Sequence, residues 1–323
     1  MEYDRQDVTF PREVSSKHPL LCIVGPTGSR KSELALAAAE RWNGEIISCD
    51  SLQLYRGFTI GTAKLTIAKR ASVPHHLIDV LDPTEVCSAG EYSRLARAAI
   101  ADVSGRGRLP IVAGGAGFYL RALLEGLPPL PDRDERLRRS LFEREQRHQG
   151  SLYRILQRLD PAAAGRIHEH DVQKLIRALE VRLLTRRTAP DPSAAAPLEA
   201  YRVLKLGLDP PREELCRHLD ERAQAMFDRG LIDEVAHLIR GGLTGDEKPF
   251  ESLGYKEAVG VLRGRMTRDQ AVAATQLETR HYAKRQLTWF RRDPEIYWIR
   301  AFGGSDVAMQ ECAQKFQDFF AVS

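Results

Sequence analysis

The chain has 323 residues, 43% of them hydrophobic and 28% charged, and 48 Lys and Arg against 44 Asp and Glu leave a net charge of +4. That length accommodates one large or two medium domains, and the mildly basic balance is compatible with nucleic acid without being diagnostic. Five scattered cysteines argue against disulfides and zinc ligands, no apolar run reaches membrane-spanning length, and residues 1–17 lack a signal-peptide core. We therefore expect a soluble, cytoplasmic protein.

The first predicted element is an apolar strand that ends in a phosphate-binding loop. Residues 25–32, Gly-Pro-Thr-Gly-Ser-Arg-Lys-Ser, follow the pattern Gly-x4-Gly-Lys-Ser/Thr, except that Arg30 stands where the second glycine belongs. A helix follows from Ser32 to Arg41. Backbone N–H groups and the helix N-terminus favour an anion there, Lys31 adds a charge, and the Ser32 hydroxyl can ligate Mg²⁺. If position 30 requires a positive φ, arginine strains it by roughly 1–2 kcal/mol.

Strands and helices then alternate, as in a parallel α/β sheet. Further strands are predicted at 45–49, 76–80, 109–113 and 201–208, with helices opening at capping boxes at Ser88 and Thr267. Residues 134–185 are helical, Arg-rich and without strands, and residues 188–197, rich in Pro and Ala, indicate a loop.

The fold class predicted is α/β, a P-loop NTPase-like parallel sheet core with a helical insertion domain. The boundaries are residues 19–131 and 200–300 for the core, 132–199 for the insertion with its linker, and 301–323 for a C-terminal helical tail.

Three features point to chemistry at the carboxyl edge of the sheet, where ligands of open α/β sheets bind. Asp50 follows the second strand and suits a general base or a water-mediated magnesium ligand, although a turn aspartate has similar support. The glycine-rich turn at 114–117 allows close backbone approach, or is simply a tight connection. Arg222 lies beside the apolar face of a helix, where it can reach a phosphate, although the pattern alone favours a solvated arginine.

A basic and aromatic segment lies at residues 280–292. It holds five Lys and Arg without an acid, and like charges stack at i,i+4 spacing, for example at Arg280 and Lys284. Repulsion of this kind is tolerated beside a polyanion, and aromatic rings stack on bases. The segment favours nucleic-acid contact over a merely solvated face.

Together these segments resemble one family, the tRNA dimethylallyltransferases, also called isopentenyl-tRNA transferases. Eight motifs occur in the family's order and cover about residues 20–298: GPTGSRKS (25–32), IISCDSLQLYRG (46–57), IGTAK (60–64), PHHLID (74–79), AGGAGFY (113–119), LIRALEV (175–181), LGYKE (253–257) and AKRQLTWFR (283–291). The zinc finger of eukaryotic members is missing after Arg300, which is similar to the shorter bacterial type.

The resemblance implies transfer of a dimethylallyl group from dimethylallyl diphosphate to N6 of the adenosine 3′ of the anticodon, with release of diphosphate. It implies a diphosphate site at Gly25, Pro26, Thr27, Gly28, Ser29, Arg30, Lys31, Ser32 and Arg222, with Ser32 on Mg²⁺, and Asp50, Lys31 and Arg222 as catalytic residues. It places tRNA contacts at Asp50, Ser51, Leu52, Gln53, Ala116, Gln173, Arg177, Lys284, Arg285, Gln286, Thr288, Trp289 and Arg291. The implied partners are the anticodon stem-loop of tRNA, gripped by the helical insertion, and dimethylallyl diphosphate, with no membrane and a monomeric protein.

Two departures from the family pattern keep alternatives open. Arg30 replaces the loop glycine, and Ala116 replaces a Thr or Ser whose hydroxyl lies near the target base, a loss on the order of 1 kcal/mol. The first alternative is therefore a tRNA-binding homologue with impaired catalysis. The second is a P-loop kinase for a small molecule or nucleotide, against which the basic-aromatic segment and Asp50–Gln53 argue.

Overall fold

A six-stranded sheet carries the phosphate-binding loop. The computed structural model describes residues 17–128, 130–185 and 196–321. The strands are β1 (His18–Val24), β2 (Gly44–Cys49), β3 (His75–His76), β4 (Leu109–Gly114), β5 (Tyr201–Leu208) and β6 (Tyr297–Ile299). They lie in the order β3-β2-β4-β1-β5-β6, and every pairing is parallel. Because helices cover both faces of a parallel sheet, β2 and β4 are buried along their whole length. The predicted α/β class with a parallel sheet is confirmed.

Helices connect and flank these strands. Those before residue 125 are α1 (Lys31–Arg41), α2 (Ile67–Arg70), α3 (Ala89–Gly105) and α4 (Gly117–Leu124). The insertion holds α5 (Glu135–Arg147), α6 (Ser151–Leu159), α7 (Pro161–Ala164) and α8 (Val172–Thr185). The remainder are α9 (Arg212–Asp228), α10 (Leu231–Arg240), a 3₁₀ turn (Lys248–Glu251), α11 (Tyr255–Leu262), α12 (Arg268–Phe290) and α13 (Asp306–Ala321).

Side-chain caps explain where two of these helices begin. The Thr267 side chain accepts a hydrogen bond from Gln270 N, and the Gln270 side chain accepts one from Thr267 N, so the capping box predicted there is confirmed. At α3, Ser88 Oγ accepts from Glu91 N as expected, whereas the Glu91 carboxylate accepts from Arg94. Ser88 therefore caps α3 through its own side chain.

The strand predicted at 76–80 is wrong. Only His75 and His76 pair with β2, and the chain then turns sharply because Leu77 and Asp79 have φ values of 60° and 57°. Backbone hydrogen bonds from this segment go to a neighbouring loop instead, with Asp79 N donating to Gln53 O at 3.0 Å. The apolar residues of the segment resemble a strand, but tertiary hydrogen bonds outweigh that local preference.

The chain divides into two compact units, Met1–Leu124 with Leu198–Ser323, and Glu125–Pro197. The first unit buries one apolar cluster on each face of the sheet. One cluster includes the fully buried Tyr92 and Tyr255, and the other includes Leu34 and Trp42. Trp42 stacks on Phe316 of α13 with ring centroids 4.0 Å apart, so α13 packs against α1 within this unit.

The second unit is built from α5 to α8 around its own core, which includes Leu141, Leu152 and Leu175. Its helices confirm the helical character predicted for 134–185. Ten residues of the predicted Pro-Ala loop and its flank, 186–195, lie outside the described residues. Across residues 17–128, 130–185 and 196–321, no helix has both the length and the apolar character needed to cross a bilayer.

Candidate active site

The phosphate-binding loop lies between β1 and α1 and is braced from within. Buried Ser29 donates its hydroxyl to Pro26 O at 2.8 Å, and Lys31 Nζ donates to the same carbonyl at 3.0 Å. Gly28 has a φ of 78°, and a Cβ on it would lie 2.5 Å from Leu219 Cδ2 of α9. The loop therefore has the tight, glycine-dependent path expected of a strand-to-helix anion site.

Arg30 meets the condition for backbone strain. Its φ of 60° and ψ of 29° lie in the left-handed region, which glycine adopts readily and arginine does not. Its guanidinium lies 3.9 Å from the Glu33 carboxylate and 5.9 Å from the ring centroid of Phe302. Its side chain is thus engaged with neighbours on α1 and on the segment before α13.

Lys31 and Arg222 bring two cations to the loop from α1 and α9. Arg222 Nη1 donates to Thr27 Oγ1 at 3.1 Å, while its Nε is buried and has no hydrogen-bond partner within the described part of the chain. Burial lowers the pKa of Lys31 to about 8, a shift that nearby Asp50 opposes and nearby Arg222 reinforces. A buried, unsatisfied N–H beside a partly desolvated ammonium is costly unless an anion joins them. The pair therefore suits a diphosphate.

Asp50 lies at the carboxyl end of β2, on the same edge as the loop. Its Oδ1 accepts hydrogen bonds from Leu52 N at 2.9 Å and from Gln53 N at 3.3 Å. The structure therefore shows Asp50 as a turn aspartate. Its second oxygen is left available by these two bonds, and its role as a general base or magnesium ligand stays a prediction. Asp50 contributes to the electrostatic environment of both Lys31 and Arg222.

The glycine-rich turn after β4 meets β2 at this edge. In the sheet register, Cys49 and Val24 both pair with Gly114, so the carboxyl ends of β2, β4 and β1 coincide. A Cβ on Gly114 would lie 1.9 Å from Cys49 O, which explains the need for glycine there. Ala116 N donates to Cys49 O at 3.1 Å, which places residue 116 beside the residue that precedes Asp50.

Gln286 joins the two loops. It is buried on α12, where its Oε1 accepts from Thr27 N at 2.8 Å and its Nε2 donates to Gly115 O at 2.9 Å. Sequence reasoning predicted a tRNA contact for this residue, but the structure commits both ends of its amide to the protein. Gln286 holds the phosphate-binding loop against the glycine-rich turn.

Tyr282 is a site residue that sequence reasoning missed. It lies one turn before Gln286 on α12, and burial together with the neighbouring Asp50 charge raises the pKa of its phenol to about 12. The i,i+4 spacing with Gln286 is the signal that could have found it, because the two share a helix face.

Residues 51–53, for which the sequence predicts tRNA contacts, are half-buried. The Gln53 side chain accepts from Ser48 Oγ at 3.0 Å and donates from Nε2 to Thr62 O at 3.3 Å. These bonds hold it within the loop that follows β2.

The outer face of α12 carries the basic segment. The acids that sequence analysis did not find come from elsewhere in the chain: Arg280 pairs with Asp220, and Arg291 pairs with Asp209 at 2.8 Å. The exposed cations Lys284, Arg285 and Arg292 have no ion pair among residues that the structure describes. A shallow groove of about 460 Å³ is lined by His281, Lys284, Arg285, Thr288, Trp289 and Arg292.

Gln173 and Arg177 belong to the insertion and lie on α8. Arg177 donates to buried Glu180 at 2.6 Å and to Pro131 O at 3.0 Å, so its guanidinium helps to order that unit. Gln173 is exposed, and its Oε1 lies 3.5 Å from Arg138 Nη2.

Ser32 is the residue that the sequence predicts as a magnesium ligand. Its hydroxyl lies in the first turn of α1 and makes no side-chain hydrogen bond within the described ranges. The same ranges hold no group of three or more His, Cys, Asp or Glu side chains that could bind a metal. Mg²⁺ commonly takes one or two protein oxygens and completes its shell with waters and substrate phosphates, so a single hydroxyl beside an anion loop fits it.

Comparisons with known proteins identify the family of the chain. A family model described as IPP transferase matches residues 53–293. The tRNA dimethylallyltransferase of Solibacter usitatus is 55% identical over 89% of this chain and 94% of its own length, and that of Koribacter versatilis is 50% identical over 91% and 97%.

Solved structures point the same way. The full-length tRNA isopentenylpyrophosphate transferase from Bacillus halodurans is 36% identical, with a TM-score of 0.69 over 94% of this chain and 96% of that one. A eukaryotic dimethylallyltransferase acting on tRNA is 25% identical, with a TM-score of 0.75 over 93% and 78%. The chain belongs to the IPP transferase family, among the tRNA dimethylallyltransferases of bacteria.

Proposed function

We propose that this protein transfers a dimethylallyl group from dimethylallyl diphosphate to the exocyclic N6 of the adenosine 3′ of the anticodon in tRNA. The observation that carries the proposal is that one edge of the sheet holds Asp50 together with the cations Lys31 and Arg222. A carboxylate suits the proton of an amine, and two cations suit a leaving diphosphate.

The transfer forms one bond and breaks one. The N6 lone pair attacks C1 of the dimethylallyl group, and the C1–O bond breaks with its electron pair leaving on diphosphate. Asp50 accepts the proton that N6 loses, while Lys31 and Arg222 balance the charge that develops on the departing oxygens. A magnesium ion held by Ser32 would add further positive charge at the diphosphate. The backbone N–H groups of Lys31 and Ser32 in the first turn of α1 orient the diphosphate.

We assign tRNA binding to two surfaces, each in a different unit of the chain. The exposed cations Lys284, Arg285 and Arg292 suit a phosphate backbone, and Trp289, 37% exposed, offers a stacking face. The second surface is the insertion, which carries Gln173 and Arg177. The target adenine must leave the loop stack, which costs a few kcal/mol and least in a single-stranded loop. Because every proposed catalytic residue comes from one chain, we propose that the protein acts as a monomer. We propose the cytoplasm as its location because its proposed substrate is tRNA.

Two other functions remain as outcomes of the test. Left-handed Arg30 and the missing hydroxyl at Ala116 favour a second candidate, a tRNA-binding homologue with impaired transfer. The third candidate, a kinase, would use the same loop, but its reaction does not require the exposed cations Lys284, Arg285 and Arg292.

The deciding experiment supplies purified protein with labelled dimethylallyl diphosphate and total tRNA. We expect label in tRNA together with free diphosphate. The control is an anticodon stem-loop carrying purine riboside at the target position, which lacks the N6 amine and should take no label. Binding of tRNA without transfer would favour the impaired homologue. Phosphorylation of a small molecule from ATP would favour the kinase.

A further inference from the structure

An ion pair with a buried lysine and a partly exposed aspartate lies beneath the loop that begins at Asp50. Lys64 Nζ lies 2.6 Å from Asp79 Oδ1 and donates to Tyr55 O at 2.5 Å, and the lysine side chain is only 1% exposed. Arg70 Nη1 approaches the other oxygen of Asp79 at 3.3 Å. The ion pair therefore links residues from three motifs of the sequence, 46–57, 60–64 and 74–79.

Two hydrogen bonds connect this ion pair to Asp50. Asp79 N donates to Gln53 O at 3.0 Å, and Gln53 N donates to Asp50 Oδ1 at 3.3 Å. Val80 N and Leu81 N continue the contact by donating to Leu54 O at 2.8 and 2.9 Å. The backbone N–H groups of residues 79–81 thus bond to the backbone of residues 53–54. The N–H groups of Leu52 and Gln53 in turn orient the Asp50 carboxylate.

The far end of the same loop is anchored independently. The fully buried Tyr255 donates its hydroxyl to Glu234 at 2.6 Å, and Ile60 N donates to Glu234 at 2.9 Å. A Cβ on Gly61 would lie 2.3 Å from the Tyr255 ring. The loop 50–64 is therefore fixed near 60. Near 50, the contacts at Lys64 and Asp79 add to the two side-chain hydrogen bonds of Gln53 with Ser48 and Thr62.

We propose that Lys64 and Asp79 are positioning residues for Asp50, acting by holding the loop 50–64 so that one carboxylate oxygen stays in its turn and the other faces the target amine. The inference rests on the proposed function. Physical reasoning separates it from a role in stability alone. A buried ion pair adds little net stability over apolar replacements of similar size, whereas removing one partner leaves an uncompensated charge. If the ion pair serves to position Asp50, its removal should therefore lower kcat even in a variant whose stability recovers.

The test compares Lys64→Met, Asp79→Asn and the double variant. Each single variant should lose stability. Asp79→Asn leaves the buried Lys64 without a carboxylate, and Lys64→Met leaves Tyr55 O without its donor and Asp79 with Arg70 alone. The double variant removes the buried ammonium together with the carboxylate, so its melting temperature should recover part of the way; Arg70 still loses its carboxylate and Tyr55 O its donor. Its kcat should remain about 10–100-fold below that of the wild type, because small misplacements of reacting groups slow a reaction by about that factor. The KM for tRNA and the Kd for dimethylallyl diphosphate should stay within about threefold.

A matched control is available in β5. Lys205 Nζ lies 2.7 Å from Asp293 Oδ2, and the side chains are 14% and 32% exposed, against 1% and 34% for Lys64 and Asp79. The double variant Lys205→Met/Asp293→Asn removes a comparable pair away from Asp50 and should leave kcat unchanged. Asp79→Glu, which keeps the charge and lengthens the side chain, serves if the Lys64/Asp79 double variant does not fold.

Hydrogen exchange supplies a readout that needs no activity. The amides of Leu52, Gln53 and Asp79 should be protected in the wild type and exchange at least tenfold faster in the Lys64/Asp79 variant, while α1 amides stay protected. Recovery of kcat together with melting temperature would overturn the inference, as would unchanged protection of those amides. If the wild type transfers nothing, the proposed function fails, and the exchange data still decide whether the pair holds the loop.

Discussion

Single residues at the sheet edge divide their polar atoms between structure and chemistry. One Asp50 oxygen accepts hydrogen bonds from backbone N–H groups, one Arg222 nitrogen donates to Thr27, and Lys31 donates to Pro26 O. Each of these residues keeps further donors or acceptors available, namely the second Asp50 oxygen, the buried Arg222 Nε and the remaining protons of Lys31. Substitutions that preserve the structural bond and remove the chemistry are therefore the informative ones.

Asp50→Asn is such a substitution. The asparagine oxygen can still accept from Leu52 N and Gln53 N, so the turn should survive, but the amide cannot take the N6 proton. We expect turnover to fall by about 10²–10⁴, as loss of a general base does. Affinity for tRNA should change little, since phosphate contacts dominate it. Single-turnover transfer and tRNA binding on the same preparation measure both, and wild-type turnover would remove Asp50 from the mechanism.

Lys31 should make diphosphate binding sensitive to alkaline pH. Because burial lowers its pKa to about 8, the free protein loses this charge as the pH rises through that value. We expect the affinity for dimethylallyl diphosphate to fall about tenfold between pH 7 and 9. Lys31→Met should bind weakly at both pH values and show no such slope. An equal slope in the variant would assign the titration to another group.

The same shift acts on stability with the opposite sign. The unfolded lysine titrates near its ordinary pKa of 10.5, so the unfolded state binds more protons than the folded state between about 8 and 10.5. This residue's contribution to the free energy of unfolding therefore rises with pH across that window.

Arg30→Gly tests the strained position in the loop. Glycine adopts a φ of 60° without the cost that arginine bears, about 1–2 kcal/mol. Because the guanidinium contacts Glu33 and Phe302, we expect Arg30→Gly to improve diphosphate affinity or turnover by up to about tenfold. The control is Asn43→Gly, a second left-handed position with φ of 49° that follows α1. Weaker diphosphate binding in Arg30→Gly alone would show instead that the arginine has become a phosphate ligand.

At the scale of elements, α12 serves two environments with its two faces. The inner face carries Tyr282 and Gln286 to the sheet edge, and the outer face carries Lys284 and Arg285 to solvent. Local charge repulsion along the helix is partly relieved by Asp220 of α9, which pairs with Arg280. The helix therefore connects an exposed basic surface with the sheet edge that holds Asp50, Lys31 and Arg222.

Replacing Lys284, Arg285 and Arg292 together with alanine tests the outer face. We expect weaker tRNA binding and a flatter salt dependence, by up to about 0.7–0.9 log unit for each phosphate that the variant no longer neutralises. The Kd for dimethylallyl diphosphate should not change. Arg291→Ala is the matched control, since that arginine already pairs with Asp209 and should change the slope less. If the salt dependence of tRNA binding is unchanged in the triple variant, this face does not bind tRNA and is simply solvated.

At the scale of the whole molecule, features encoded in short windows could be predicted from the sequence. The phosphate-binding loop, the strands β1, β2, β4 and β5, and the helical insertion each follow from periodicity or turn chemistry within a few residues. The prediction at 76–80 was wrong because Asp79 and Val80 bond to Gln53 and Leu54, an arrangement that local apolar character does not encode. The roles assigned to Asp50, Lys31 and Arg222 stay predictions.

The sequence by itself determined the sheet class and the order of the motifs, and it predicted which residues bear the chemistry. Only the tertiary structure decided their partners. Gln286 accepts a hydrogen bond from Thr27 N across 259 positions of sequence, the Asp50 charge helps to raise the pKa of Tyr282, and Asp209 pairs with Arg291. The physical reason is that propensity, periodicity and loop chemistry act over a few residues. Which side chains meet across the carboxyl edge depends instead on how α9 and α12 pack against the sheet.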